Sequence, residues 1–153
     1  MEKHQYNATL TWEKDRKGLL CSPEIKIDNC GNPGCIEVAT PPEFPKGMPN
    51  IWSPEHLFTA SVSSCLMTTF LAIAENSKLR FSSFSCDATG ILAPEEGKYA
   101  MTEIILTPTV TVYDAKDRDR AERIIQKSEA ACLITNSVKS KVSLNITVKV
   151  LQE

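Results

Sequence analysis

Residues 53–77 read SPEHLFTASVSSCLMTTFLAIAENS, and this stretch decides how the rest of the chain is read. Ser53 is a good helix N-cap, Pro54 suits the first helical position, and Glu55 complements the helix dipole. The spacing predicts a helix from about Pro54 to Ser77. From Leu57 to Ala74 it carries no charge, and a single thiol, Cys65, sits in its middle. The run is just long enough to suggest a membrane span. Its hydroxyls, among them Thr59, Ser61, Ser63, Ser64, Thr68 and Thr69, argue against a lone lipid-facing helix. The expectation is a central helix buried on all sides by its own protein. A thiol in such a helix is ordinarily inert packing, whereas a thiol at the floor of a pocket can be a nucleophile.

At 153 residues the chain is expected to form one domain, residues 1–153, with enough length for a real core. Its composition, 42% hydrophobic and 24% charged, is that of a soluble globular protein. A net charge of −2 gives no electrostatic reason to expect nucleic acid or acidic membranes as partners. The start, MEKHQYNATLTW, has no apolar leader segment, so a cytoplasmic location is expected. In that compartment the six cysteines are not expected to form persistent structural disulfides.

Tyr6, Ala8, Leu10 and Trp12 alternate with polar residues, as a half-buried strand does. Glu13–Gly18 reads as a charged turn, Leu19–Ile27 as a return strand broken by Pro23, Asn29–Gly34 as a second turn, and Cys35–Ala39 as a third strand. Four prolines make 41–50 a loop. After the helix, Phe81–Leu92 alternates with Phe84, Cys86, Ala88 and Leu92 on one face, and Pro94–Lys98 is a hairpin turn. Met101–Tyr113 follows with Ile104, Leu106, Val110 and Val112 on one face. Pro108 on that face predicts an edge or a bulge. A second helix begins near Asp114–Asp117, with Ala121, Ile124, Ile125, Ser128 and Cys132 at helical spacing. Leu144, Ile146, Val148 and Val150 then alternate as one last strand. The fold class is α+β.

Residues 53–65, SPEHLFTASVSSC, resemble the first active-site helix of the OsmC/Ohr family, the osmotically inducible and organic hydroperoxide resistance proteins. The shared features are Pro-Glu-x-Leu at the helix start and a cysteine ten residues after the glutamate. ACLITNS, residues 131–137, is similar to the family's second cysteine segment, and the order of elements matches over nearly the whole chain. Family members often carry an aromatic residue after the first cysteine and proline after the second. This chain has Leu66 and Leu133 there.

The resemblance implies an OsmC-like fold, with antiparallel sheets around the central helix, and a two-cysteine thiol peroxidase acting on organic hydroperoxides. Cys65 would be the peroxidatic nucleophile and Cys132 its disulfide partner. An external dithiol such as a lipoyl group would be the reductant, with no bound metal or flavin. Burial disfavours a thiolate, so something must offset it. The family uses an arginine held by a glutamate. Glu55 matches that glutamate and Arg16, in the first hairpin turn, falls roughly where the arginine does.

Ten residues of continuous helix span about 15 Å, so Glu55 is not beside Cys65 of its own chain. Two copies of the helix crossing antiparallel near Ala60 would bring residue 55 of one near residue 65 of the other. An intertwined homodimer with shared sites is therefore expected, as the resemblance also implies. Phe58, Leu66, Met67 and Phe70 are candidates for the pocket wall, and Phe44, Met48 and Trp52 of the proline-rich loop for its lid.

Cys30-Gly-Asn-Pro-Gly-Cys35 has the spacing of half a zinc site. The remaining ligands, Cys21, His4 and His56, are thin, so Cys30 and Cys35 read as incidental turn thiols. Cys86 reads as a small core residue on a strand. The alternatives to a peroxidase are a non-enzymatic small-molecule or metal binding dimer of the same fold and a thiol redox sensor.

Overall fold

A computed structural model describes residues 2–27 and 31–152. The architecture is α+β, and the chain divides into two compact units, Met1–Leu57 and Phe58–Glu153.

The first unit is an antiparallel sheet of β1 (Thr9–Lys14), β2 (Lys17–Lys26) and β3 (Pro33–Ala39), in that order. The first strand starts later than its alternation suggests, and its apolar side chains stay bare: Leu10 is 65% and Trp12 73% exposed. The charged turn tightens to Asp15 and Arg16, with Asp15 in the left-handed region at φ 48°. Pro23 does not end the return strand. β2 runs through it with an irregular register between Ser22 and Lys26.

The expectation for the cysteines here needs correction. Cys35 is no turn thiol: it lies on β3, directly opposite Cys21 of β2, and the two form a disulfide. Cys30 lies outside the described residues, as does the start of the expected second turn. Residues 41–50 form no helix or strand. They are ordered by their own hydrogen bonds, Phe44 N–H to Pro41 C=O at 3.1 Å and Met48 N–H to Thr40 C=O at 2.9 Å.

Helix α1 (Pro54–Asn76) begins in the first unit and runs unbroken into the second. Ser53 caps it as expected: its Oγ accepts from His56 N–H at 3.2 Å, while His56 Nδ1 accepts from Ser53 N–H at 3.2 Å. This reciprocal arrangement satisfies two backbone donors. The helix is not buried on all sides within the chain. One stripe at four-residue spacing, Val62, Leu66, Phe70 and Ala74, is fully buried, while Met67 and Leu71 are 39% and 42% exposed. A four-residue repeat occupies one face of a 3.6-residue helix, so a single partner layer covers only that face.

That layer is the second sheet. β4 (Phe81–Glu95) and β5 (Lys98–Val112) form a long antiparallel hairpin, closed by Glu96 and Gly97 at φ 49° and 80°. Two left-handed residues make the mirror-image turn that matches strand twist. Ile104, Leu106, Val110 and Val112 are fully buried against α1. Phe70 anchors the packing, with its ring 5.2 Å from Phe81 and 4.9 Å from Phe84. Gly90 lets β4 approach the helix closely, because a Cβ there would collide with the Thr59 side chain.

Three strand expectations change. Leu92 leaves the inner face at an irregularity in the hairpin: Ile91 pairs with Glu103 but Leu92 with Met101, so β5 carries one extra residue, Thr102, at this point. Pro108 sits neither at an edge nor in a bulge. The expected last strand is two strands, β6 (Lys141–Leu144) and β7 (Thr147–Val150), both parallel to β5. They pair with residues 103–106 and 109–112 of β5, which leaves Pro108 opposite the gap. Leu106 C=O accepts from Asn145 N–H on that side at 2.8 Å, so residue 108, two further on, also turns its backbone that way. The missing proline N–H therefore interrupts no rung. The sheet is thus mixed rather than purely antiparallel.

A 3-10 turn (Ala115–Asp117) leads into α2 (Arg118–Ala131). Ala121, Ile124, Ile125 and Ser128 are buried on one face, as their spacing predicts, and Cys132 at the C-cap is fully buried. Ala121, Ile124 and Ile125 join Phe70, Ala74, Val110 and Val112 in one core.

Candidate active site

Cys65 lies three turns into α1, half-buried and free of any disulfide. Cys132 is free too. At Cys132 the backbone leaves the helical region, with φ −66° and ψ 119°, and the chain turns through Leu133 and Ile134 into a second 3-10 turn, Thr135–Ser137. Asn136 N–H donates to Cys132 C=O at 3.1 Å and Thr135 N–H to Cys132 Sγ at 3.5 Å, which fixes this corner. The corner sets the Cys132 thiol and the backbone N–H groups of Leu133 and Ile134 against the Cys65 sulfur, and Thr69, one turn along α1, adds its hydroxyl.

These surroundings separate the two thiols. Burial pushes Cys65 up. The Cys132 thiol, the Ile134 N–H, the Thr69 hydroxyl and the Leu133 N–H favour the thiolate and outweigh it, so its pKa falls below the ordinary thiol value. Burial pushes Cys132 up as well, the neighbouring Cys65 adds to the rise, and the Thr135 hydroxyl and N–H only partly offset it. The arrangement makes Cys65 the more acidic of the two thiols and Cys132 the one that keeps its proton longer. Cys86, half-buried on β4, is pushed up chiefly by burial.

In the first unit, Arg16 is exposed at the β1–β2 turn, and its C=O accepts from Thr40 N–H at 3.2 Å. Arg16 and Met48 line one cleft of ≈ 520 Å³ together with Asp15 and Lys46. Lys17, which opens β2 after this turn, is tied by ion pairs to Glu13 and Glu37. Trp52 lines a separate cleft of ≈ 490 Å³ with Pro42, Glu43 and His56, and its ring meets that of His56 edge-on at 6.1 Å. Phe44 is half-buried and lines neither cleft. Glu55 is half-buried in the first turn of α1.

Of the candidate wall residues, Leu66 and Phe70 are fully buried, Phe58 packs against the Val62–Leu66 cluster, and Met67 is exposed. Leu133 and Ile134, adjoining Cys132, are 77% and 36% exposed. Sequence reasoning gave no site role to Thr69, Leu133, Ile134 or Thr135. Thr69 was within reach, four residues after Cys65 on a helix and so on the same face. The backbone donors carry no side-chain signal.

The model of the OsmC-like protein family matches residues 47–147. This chain belongs to that family. It is 25% identical over 101 residues to the protein YmaD of Bacillus subtilis, covering 64% of this chain and 67% of YmaD. Its structure is similar to that of an OsmC-like protein from Vibrio cholerae, with a TM-score of 0.80 at 24% identity over 94% of this chain and 99% of the other. It is also similar to an organic hydroperoxide resistance protein from Elizabethkingia anophelis, with a TM-score of 0.72 at 20% identity over 98% and 99%. At these identities the two structures show a common fold.

Proposed function

We propose that the protein is a two-cysteine thiol peroxidase that reduces organic hydroperoxides. The observation that carries this reading is the pairing of Cys65 with Cys132, with the proton affinity of one lowered and of the other raised. Peroxide reduction needs one thiolate and one thiol held in reserve. The Cys65 thiolate attacks the outer oxygen of ROOH, the O–O bond breaks, and the leaving alkoxide takes a proton to become ROH. Cys65 is left as a sulfenic acid. The Cys132 sulfur then displaces its hydroxyl as water, and a Cys65–Cys132 disulfide forms. A cytosolic dithiol, such as a lipoyl group, reduces that bond by exchange and leaves as its own disulfide. Family membership and the likeness to an organic hydroperoxide resistance protein support the reading. Exposed Met67, Leu133 and Ile134 near the two cysteines in sequence favour an organic over an aqueous peroxide.

In this reading Glu55 orients Arg16, and Arg16 holds charge at the thiolate. Because α1 is unbroken, about 15 Å of helix separates Glu55 from Cys65, and the second copy of an intertwined homodimer completes each site. The bare flank of α1 at Met67 and Leu71 is the surface that copy would cover. The continuous helix is also why the two units are read as one functional domain.

The test is stopped-flow mixing of reduced protein with stoichiometric cumene hydroperoxide, quenched and mapped by mass spectrometry. Rapid appearance of a Cys65–Cys132 disulfide, lost in Cys65→Ser, is expected. Slow or scattered oxidation overturns the proposal.

A further inference from the structure

The disulfide between Cys21 and Cys35 is not used by the peroxidase reading. We propose that Cys21 and Cys35 are a second thiol–disulfide couple, reversibly exchanging with small dithiols in the folded protein.

The placement is set by the sheet and not by the bond. Cys21 and Cys35 are register partners on antiparallel strands, with Cα atoms 4.2 Å apart. That is the close spacing of a rung without hydrogen bonds between its two residues, where side chains approach most nearly. The rungs Lys17–Ala39, Gly18–Val38, Leu19–Glu37 and Leu20–Ile36 continue on one side. β1 holds the other edge of β2, pairing Thr9 with Cys21. These contacts keep the two sulfurs adjacent when the bond is open, so re-closure needs no search by the chain. A bond that the fold does not depend on can cycle without unfolding.

Access is provided on the same strands. Both cysteines are half-buried, and one rung beyond them, after Ser22–Gly34, the register of β2 with β3 becomes irregular. Residues 23–27 are exposed. A thiolate from solvent therefore reaches a sulfur without opening a core. It attacks one sulfur and forms a mixed disulfide, and the second thiol of the dithiol then displaces the protein sulfur. The products are two protein thiols and the oxidised dithiol, a transfer of two electrons and two protons, and the reverse reaction uses the oxidised dithiol as oxidant.

The inference does not depend on peroxide turnover, and its test reads thiols alone. The full chain is equilibrated in mixtures of reduced and oxidised dithiothreitol, quenched with a maleimide and peptide-mapped. Cys21 and Cys35 are expected to pass together from unlabelled to labelled in one reversible two-electron transition, with the far-ultraviolet circular dichroism unchanged. In Cys21→Ser, Cys35 is expected to label at every poise. Labelling of both cysteines in fully oxidised buffer overturns the proposal. So does a bond from either to Cys30, or a bond that opens only when denaturant is added.

Discussion

Cys65 on α1 and Cys132 at the C-cap of α2 lie together, and their surroundings move their proton affinities in opposite directions. As pH rises, Cys65 loses its proton below the pH at which a free thiol would, and Cys132 above it. Alkylation by iodoacetamide, followed per peptide across pH, is therefore expected to show Cys65 reacting before Cys132. The reverse order removes the basis for assigning the nucleophile.

The backbone donors at the α2 corner make a separate claim. Leu133→Pro deletes one N–H that faces Cys65, and Cys132 already has the extended backbone that a residue before proline prefers. The Cys65 alkylation profile is expected to move to higher pH while the circular dichroism stays the same. Thr69→Val, which deletes a hydroxyl, should move it the same way. An unmoved profile in both variants means these donors do not hold the thiolate.

Phe70 is fully buried between Phe81, Phe84 and the inner face of β5. Phe70→Ala is expected to cost about 3–5 kcal/mol through lost burial and the cavity left behind. Urea unfolding monitored by circular dichroism checks this, and a loss below 1 kcal/mol would contradict the packing described.

Ser53 caps α1 and is itself fully buried. Ser53→Ala leaves the His56 N–H without its acceptor and is expected to cost about 1 kcal/mol. Ser53→Asp should retain more of the stability than alanine, because a carboxylate also accepts from the first turn. Denaturant midpoints of the three proteins give the comparison.

The bare flank of α1 predicts association. Sedimentation at micromolar concentration is expected to give a dimer for the native chain, and Leu71→Glu, which places a charge on that flank, should shift it toward monomer. A native monomer with full peroxidase activity would rule out shared sites.

Much of the fold was legible because its signals are local. The cap at Ser53, the start of α1 at Pro54, the inward face of β5 and the buried stripe of α2 all follow from residue spacing within one element. Cys65 and Cys132 were legible as a pair only through resemblance to a family, since no periodicity relates residues on two helices. What the sequence left open depends on register between distant segments. An extra residue on the facing strand, Thr102 of β5, shifts the register where Leu92 turns outward, and the gap between β6 and β7 made room for Pro108 in an interior strand. Cys35 found Cys21 rather than reading as a turn thiol, because strand pairing, not distance along the chain, decides which side chains are opposed. The same holds at the candidate site. The sequence supplied two thiols of equal intrinsic acidity, and only the tertiary structure, by setting the Cys132 thiol, the Ile134 and Leu133 N–H groups and the Thr69 hydroxyl at Cys65 while burying Cys132, made them different.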